Sequence, residues 1–340
     1  MAAVINLVRH MRCTFEAIRE YTPGARWQAL FQLRWPAYQQ WFLRDGYRAR
    51  PSYLAGRRAL RQHMPELAQL YQQLCELAGG GDLEARFLSQ WCPPSYISGC
   101  SQAVWLDPYG VEGPLLARNY DYAPSLLEGS WLSTRWLGRQ VLAMSDCLWG
   151  ALDGINEDGL AVSLSFGGRT AVGEGFGIPL VMRYLLETAS NTAEAVAILQ
   201  RLPVHMTYNI SLLDKCSHWA TVFVAPDRPT EVVSRSAVAN HQHGLEWQAH
   251  ARATLSEERE WMLGQGVRKA ERADDVLRTL LRPPLFQTAY GRGYGTLYTA
   301  AYHPHTLMAE LLWPDMRWPQ YCLDVQEGVL NVRFDANHAG

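Results

Sequence analysis

Cys100 follows Ser98-Gly99 at the head of a strand-like run, and the segment "LLARNYDY" (115–122) comes shortly after it. A thiol attacks as its thiolate, and an ordinary cysteine with a pKa near 8.5 is only a few per cent ionised at neutral pH. Something must take its proton. If the Gly99–Cys100 bond is cut, Cys100 gains a free α-amine with an ordinary pKa of about 7.7–8.0. That amine lies within reach of its own sulfur and can act as the general base. The same thiol can make the cut by attacking the preceding carbonyl. Gly99 has no Cβ to obstruct the attack, and Ser98 is small.

The downstream polar residues suit supporting roles. In a regular strand Arg118 and Asp121 point to opposite faces, so a bulge or bend is required for both to reach Cys100. Asp121 could hold the new α-ammonium, and Arg118 could lower the thiol pKa. An amide is needed for an oxyanion hole, worth about 3 kcal/mol. Asn209 in "MTYNISLLD" is the candidate, with Tyr208 and Asn240 as substitutes. Asn119, Tyr208, Asn240 and Trp105 are candidate substrate contacts. Structural readings stand beside these: Arg118 and Asp121 as a plain ion pair, Asn209 as a tie between a strand end and a loop.

The elements that must position these residues come in segregated runs. Residues 1 to about 95 read mostly as helix. Leu60, Met64, Leu67, Leu70, Leu74 and Leu77 share one helical face, Pro65 starts or kinks that helix, and Gly79-Gly80-Gly81 ends it. A shorter helix covers 82–91. After Gly99 the chain turns to strands: "AVWLDPYG" and "GPLLARNYDY", then "QVLAMSDCLWGALDGINEDGLAVSLSFGG" with a tight turn at Asn156 to Gly159. Two helices follow, the second opened by Asn191-Thr192 with Glu194 in its first turn. "MTYNISLLD", "WATVFVAP" and "TEVVSR" return to strand, 253–282 is helical, and "YGTLYTAAYHP" with "LMAELLWP" forms a hairpin. "VLNVRF" adds an edge strand. Segregated runs of this kind indicate an α+β layered fold.

This constellation resembles the N-terminal nucleophile hydrolases of the cysteine type, and within them the isopenicillin N acyltransferase-like family related to the choloylglycine hydrolases. The Gly99-Cys100 junction and "ARNYDY" carry the resemblance, followed in order by "GINEDGLAVSLSFGG", "YNISLLD", "VANHQ" and "GTLYTAAYHP". The resemblance implies a four-layer αββα sandwich and self-cleavage at Gly99-Cys100. It implies a helical small chain (1–99) that stays with the core (100–340). It implies attack on a linear amide or thioester through an acyl-thioester on Cys100. It transfers the nucleophile to Cys100, the amine partner to Asp121, the oxyanion amide to Asn209 and the thiol-side arginine to Arg118. A further Arg or Ser is usual late in such chains; Arg292 and Thr296 in "GRGYGTLYT" are the offers here. No bound cofactor is implied, and an acyl-coenzyme A would enter as substrate. Water as acceptor gives hydrolysis and an amine gives acyl transfer; the sequence does not separate them.

Composition narrows the alternatives. With 340 residues, 48% hydrophobic and 19% charged, the chain is long enough for a large core, and its net charge of -2 argues against nucleic acid or an anionic membrane as partner. "MAAVINLVRHMRC" lacks the basic start and long apolar core of a signal peptide. Seven scattered cysteines without CxxC pairs argue for reduced thiols and a cytoplasmic setting. His241/His243 and His303/His305 lack the further ligands a metal site needs. Trp105, Trp131, Trp136 and Trp149 hint at an apolar acyl pocket. Two other functions stay open: an uncleaved Cys/His thiol hydrolase using His205 or His241, and a silent binding protein on the same fold. The oligomeric state is open, a homo-oligomer included.

Overall fold

The computed structural model describes residues 10–335. The expectation about a signal peptide falls largely outside them. Strand β1 (His10–Arg19) comes first, then helices α1 (Ala25–Phe42), α2 (Tyr53–His63), α3 (Ala68–Leu77) and α4 (Asp82–Leu88). Six strands follow: β2 (Gly99–Trp105), β3 (Leu115–Tyr122), β4 (Ser130–Thr134), β5 (Val141–Asp146), β6 (Gly150–Asn156) and β7 (Ala161–Phe166). Helices α5 (Ile178–Thr188) and α6 (Thr192–Arg201) precede β8 (Tyr208–Leu213), β9 (Trp219–Ala225), β10 (Arg228–Val233) and β11 (Ala237–Val238). Helices α7 (Gln248–Ala253), α8 (Ser256–Lys269) and α9 (Ala273–Leu280) lead to β12 (Gly295–His303), β13 (Met308–Trp313), β14 (Met316–Tyr321) and β15 (Gly328–Asp335).

Local rules account for several boundaries. Pro65 cannot continue α2, so the long periodic stretch splits into α2, a short 3-10 turn and α3. The Asn191 side chain accepts the Glu194 backbone N–H at 3.0 Å and caps α6. The β6–β7 turn passes through Gly159 at φ +83°, a conformation that favours glycine.

The strands form two sheets. The larger has nine strands in the order β10-β9-β8-β7-β6-β5-β4-β1-β15, and the smaller has six in the order β11-β2-β3-β12-β13-β14. Three apolar layers stack them. Helices α1 to α6 cover one face of the large sheet through Trp27, Phe31, Leu60, Leu74, Phe87 and Leu185. The two sheets face each other across Phe15, Trp131, Leu142, Leu116, Tyr120 and Tyr298. Helices α8 and α9 cover the outer face of the small sheet through Leu263, Val276, Leu277 and Leu280. The result is the αββα sandwich.

One element departs from the helical reading of residues 1–99. Strand β1 sits inside the large sheet, parallel to β4 and antiparallel to β15. Cys13, Phe15 and Ala17 point into the space between the sheets. That period-two alternation was present in "MRCTFEAI" but is short beside the helical stretches that follow. The segment before Cys100 is thus woven into the core sheet, with its helices packed on top.

Candidate active site

Strand parity sorts the residues of β2 and β3. Cys100, Gln102 and Val104 alternate with Ser101, Ala103 and Trp105 along β2. Cys100 and Val104 lie between the sheets, while Ala103 and Trp105 pack against the outer helices. Antiparallel pairing sets Cys100 opposite Tyr120 and Gly99 opposite Asp121. Arg118 therefore shares the inner face with Cys100, and both are fully buried.

Arg118 Nη2 donates to Cys100 Sγ at 2.8 Å. Nη1 donates to Asp153 Oδ2 at 2.8 Å and to the Leu152 carbonyl at 3.1 Å. Asp153, on β6 of the facing sheet, also accepts from Tyr298 Oη at 2.7 Å and from Tyr302. Burial opposes the charge on Arg118, but Cys100, Asp153 and Tyr298 more than offset this and raise its pKa. The guanidinium stays charged beside the sulfur. In the uncut chain burial pushes the Cys100 thiol above its ordinary value, with Arg118 pulling the other way.

The backbone nitrogen of Cys100 has its own set of partners. It donates to Asn240 Oδ1 at 3.0 Å. Arg259 Nη2 donates to the same oxygen at 2.6 Å, and Arg259 Nη1 donates to Asp121 Oδ2 at 2.7 Å. Thr296 Oγ1 donates to Asp121 Oδ1 at 2.7 Å. Burial raises the Asp121 pKa, while Arg259 and Thr296 lower it. Asn240 Nδ2 donates to the Phe166 carbonyl at 3.1 Å and to the Ser98 carbonyl at 3.4 Å. Asn240 thus clasps the Ser98–Cys100 segment from both sides of Gly99.

Several expectations are corrected by this geometry. Strand β3 pairs with β2 without a bulge, and Asp121 stays on the face opposite Arg118. It is linked to the Cys100 nitrogen through Arg259 and Asn240, and the register shift occurs in the β3–β12 pairing. Asn209 commits its amide hydrogens elsewhere: Nδ2 donates to the carbonyls of Ala239 and His241, both at 3.0 Å. It fastens the loop that carries Asn240. Asn119 donates to the carbonyls of Leu280 and Leu285, which ties β3 to the end of α9. Trp105 donates Nε1 to the Ala270 carbonyl in the outer core. Parity places both residues on the face away from Cys100. Tyr208 is buried and donates to the Tyr96 carbonyl at 3.2 Å.

Of the two late-chain offers, Thr296 reaches Asp121, and Arg292 is exposed. Arg259 instead bridges Asp121 and Asn240. Nothing in "SEEREWMLGQGVRK" separates it from the other charged residues of α8; only docking of the helix on the small sheet buries it. Asp153 carried a weak signal, a carboxylate inside the otherwise apolar "GALDGIN". Trp131 and Trp149 are core residues, and Trp136 donates to the Glu20 carbonyl at 2.9 Å. His205 and His241 bond the Gly173 carbonyl and Ser256 Oγ through Nδ1, at 2.6 and 2.8 Å. Among the described residues no three His, Cys, Asp or Glu side chains cluster as metal ligands do. No helix among them is long and apolar enough to cross a membrane.

Two facing sheets between helical layers, with a cysteine at the start of an inner strand, form the αββα fold of the N-terminal nucleophile hydrolases. The profile of the acyl-coenzyme A:6-aminopenicillanic acid acyl-transferase family matches residues 109–318. That span is more than half of the chain, and the chain belongs to this family. It includes Arg118, Asp121, Asn240, Arg259 and Thr296 and begins after Cys100. Among solved structures, penicillin V acylase from Agrobacterium tumefaciens is similar at 14% identity, with 65% of this chain and 86% of that chain covered and a TM-score of 0.47. A mutant conjugated bile acid hydrolase from Clostridium perfringens aligns at 10% identity over 71% of this chain and 100% of that one, TM-score 0.45. The Caenorhabditis elegans ortholog of N-acylethanolamine-hydrolyzing acid amidase aligns at 14% identity over 64% of this chain and 99% of that one, TM-score 0.45. No curated protein sequence matches the chain at a significant level.

Proposed function

We propose that this is a self-cleaving cysteine amidohydrolase or acyltransferase that acts on a linear acyl amide or thioester through an acyl-thioester on Cys100. The observation that carries this reading is the separate handling of the two reactive atoms of one residue. Arg118 holds the sulfur, and the Asn240–Arg259–Asp121 relay holds the nitrogen. A buried structural cysteine needs neither.

In maturation, Cys100 Sγ bonds to the Gly99 carbonyl carbon and the Gly99–Cys100 C–N bond breaks. The thiol proton ends on the departing nitrogen. Water then hydrolyses the Gly99 thioester, which frees the Gly99 carboxylate and restores the thiol. In turnover the new α-amine takes the Sγ proton, the thiolate attacks the substrate carbonyl, and the amine returns the proton to the leaving group. Arg118 favours the thiolate. Asp121, through Arg259 and Asn240, orients the amine. Asn240 Nδ2, released from Ser98, is the oxyanion donor in this scheme.

The small chain stays bound after cleavage because β1 lies between β4 and β15 in the large sheet. A cavity of about 90 Å³ lined by Tyr38, Trp41, Tyr96, Tyr122, Leu127 and Asp146 is a candidate for the apolar part of a substrate. Its wall residue Tyr96 hydrogen-bonds Tyr120, the residue paired with Cys100. Cleavage would leave Tyr96 three residues from a new chain end. A reducing, cytoplasmic setting suits the free thiol this chemistry requires.

The test is denaturing intact mass of the purified protein beside Cys100→Ala. Chains of 99 and 241 residues in the parent and one uncut chain in the variant are the expected result. A single uncut chain in both, with Cys100 inert to alkylation, removes the proposal.

A further inference from the structure

Gly99 is the acyl group of the first thioester that the proposed maturation forms. The space around it therefore reports which acyl groups fit at Cys100. That space is closed on one side. A Cβ built on Gly99 in the L configuration would overlap the Tyr294 hydroxyl oxygen, and it would lie 2.8 Å from Tyr294 Cζ and 3.3 Å from Asp121 Cβ. The first two are too close for a carbon atom, so Tyr294 would have to move.

Backbone conformation does not explain the glycine. Gly99 is absent from the residues with positive φ, so its backbone suits any amino acid. The requirement comes from the neighbour alone. Tyr294 follows Gly293, whose φ is +79°, and directly precedes β12. Its hydroxyl oxygen is buried and has no hydrogen-bond partner among the described residues. A buried hydroxyl left unpaired is costly, and no bond among the described residues accounts for its presence. Its position beside the Gly99 α-carbon does.

We propose that Tyr294 is a specificity-determining residue that fills the α-substituent position of the acyl group, so that Cys100 accepts acyl groups with an unbranched α-carbon and rejects those with an L-configured substituent. This rests on the self-cleaving, acyl-thioester reading above. The same sulfur attacks both the Gly99 carbonyl and the substrate carbonyl, so the acyl α-carbon of a substrate takes the place Gly99 Cα occupies before maturation. Tyr294 transfers no proton in this role. It acts by occupying volume.

Two measurements test it. The first is the rate of self-cleavage, followed by intact mass, in the parent, Gly99→Ala, Tyr294→Ala and the double variant. Gly99→Ala is expected to cut about 10- to 100-fold more slowly than the parent. The double variant should recover to the rate of Tyr294→Ala alone. Parental cleavage by Gly99→Ala overturns the inference, and so does a double variant as slow as Gly99→Ala when Tyr294→Ala cuts normally. The second measurement covers the case in which Tyr294→Ala fails to fold. Mature parent is acylated with the S-phenyl thioesters of N-acetylglycine and N-acetyl-L-alanine, and the Cys100 adduct is read by mass. Faster labelling by the glycyl ester, by a similar 10- to 100-fold factor, supports the inference. Equal labelling overturns it. A parent that never cleaves defeats the broader functional reading instead, which separates the two failures.

Discussion

Arg118 and Cys100 meet on the inner face of the small sheet, guanidinium Nη2 to Sγ at 2.8 Å, with no solvent exposure at either residue. The arginine is anchored from the opposite sheet by Asp153, so its position depends on both layers. A charge fixed in this way stabilises the thiolate selectively, because the neutral thiol gains little from it.

Replacing Arg118 by Met should therefore act on two observables. The thiol, already raised by burial, loses its main opposing influence and titrates at still higher pH. The onset of Cys100 alkylation should move to higher pH, and self-cleavage should slow throughout the neutral range. Asp153 is left buried without its cation, which costs about 3–5 kcal/mol in urea unfolding. An alkylation profile that does not move would separate Arg118 from the thiol chemistry and leave it a structural ion pair.

Asn240 and Asn209 can be told apart. Asn240 contacts the Cys100 nitrogen directly, whereas Asn209 holds the carbonyls on either side of Asn240. Asn240→Ala should slow self-cleavage by about 100- to 1,000-fold, the usual effect of losing an oxyanion donor, without loss of secondary structure. Asn209→Ala should reduce the rate less and lower the melting temperature, because it frees the 239–241 loop. The reverse ranking in a time course of chain appearance would return the oxyanion role to Asn209.

The buried carboxylates Asp146 and Glu128 predict a pH effect on stability. Burial, reinforced by the charge of neighbouring Glu128, pushes Asp146 up to about 8. An unfolded aspartate titrates near 4, so between these values the folded chain binds the proton more tightly. This contribution to stability is fully present below about pH 4 and is lost as pH rises through about 8. Asp146→Asn keeps an acceptor for Tyr38 and removes the titration. At pH 8 it should be more stable than the parent by at least about 1 kcal/mol, a difference that closes toward pH 4. Parallel stability curves for the two proteins across this range would rule out the shift.

Much of this arrangement was legible in the residues. Gly99-Cys100 singles out the candidate nucleophile, and the segregated runs of strand and helix mark a layered fold. Parity along "LLARNYDY" separates Arg118 from Asp121, and the strand honours that separation. What parity cannot say is how the two are reconnected. The expected bend in β3 is absent, and the link instead runs from Asp121 to Arg259, which lies 138 residues away, and back through Asn240. Strand β1 was missed because eight alternating residues were outweighed by the long helical stretch behind them.

Period-two and period-3.6 patterns arise from local backbone geometry, so the sequence by itself determined most of the elements and their buried faces, and the Gly-Cys junction singled out Cys100 as the candidate nucleophile. The roles of Arg259, Asp153 and Tyr294 were decided by the tertiary structure. A charged or aromatic residue on a helix or loop reads the same whether it ends in water or in the core. Only the docking of α8 on the small sheet, the facing of β6 against β3, and the approach of the chain before β12 to Gly99 desolvate these side chains and bring Arg259 to Asp121 and Asn240, Asp153 to Arg118, and Tyr294 to Gly99.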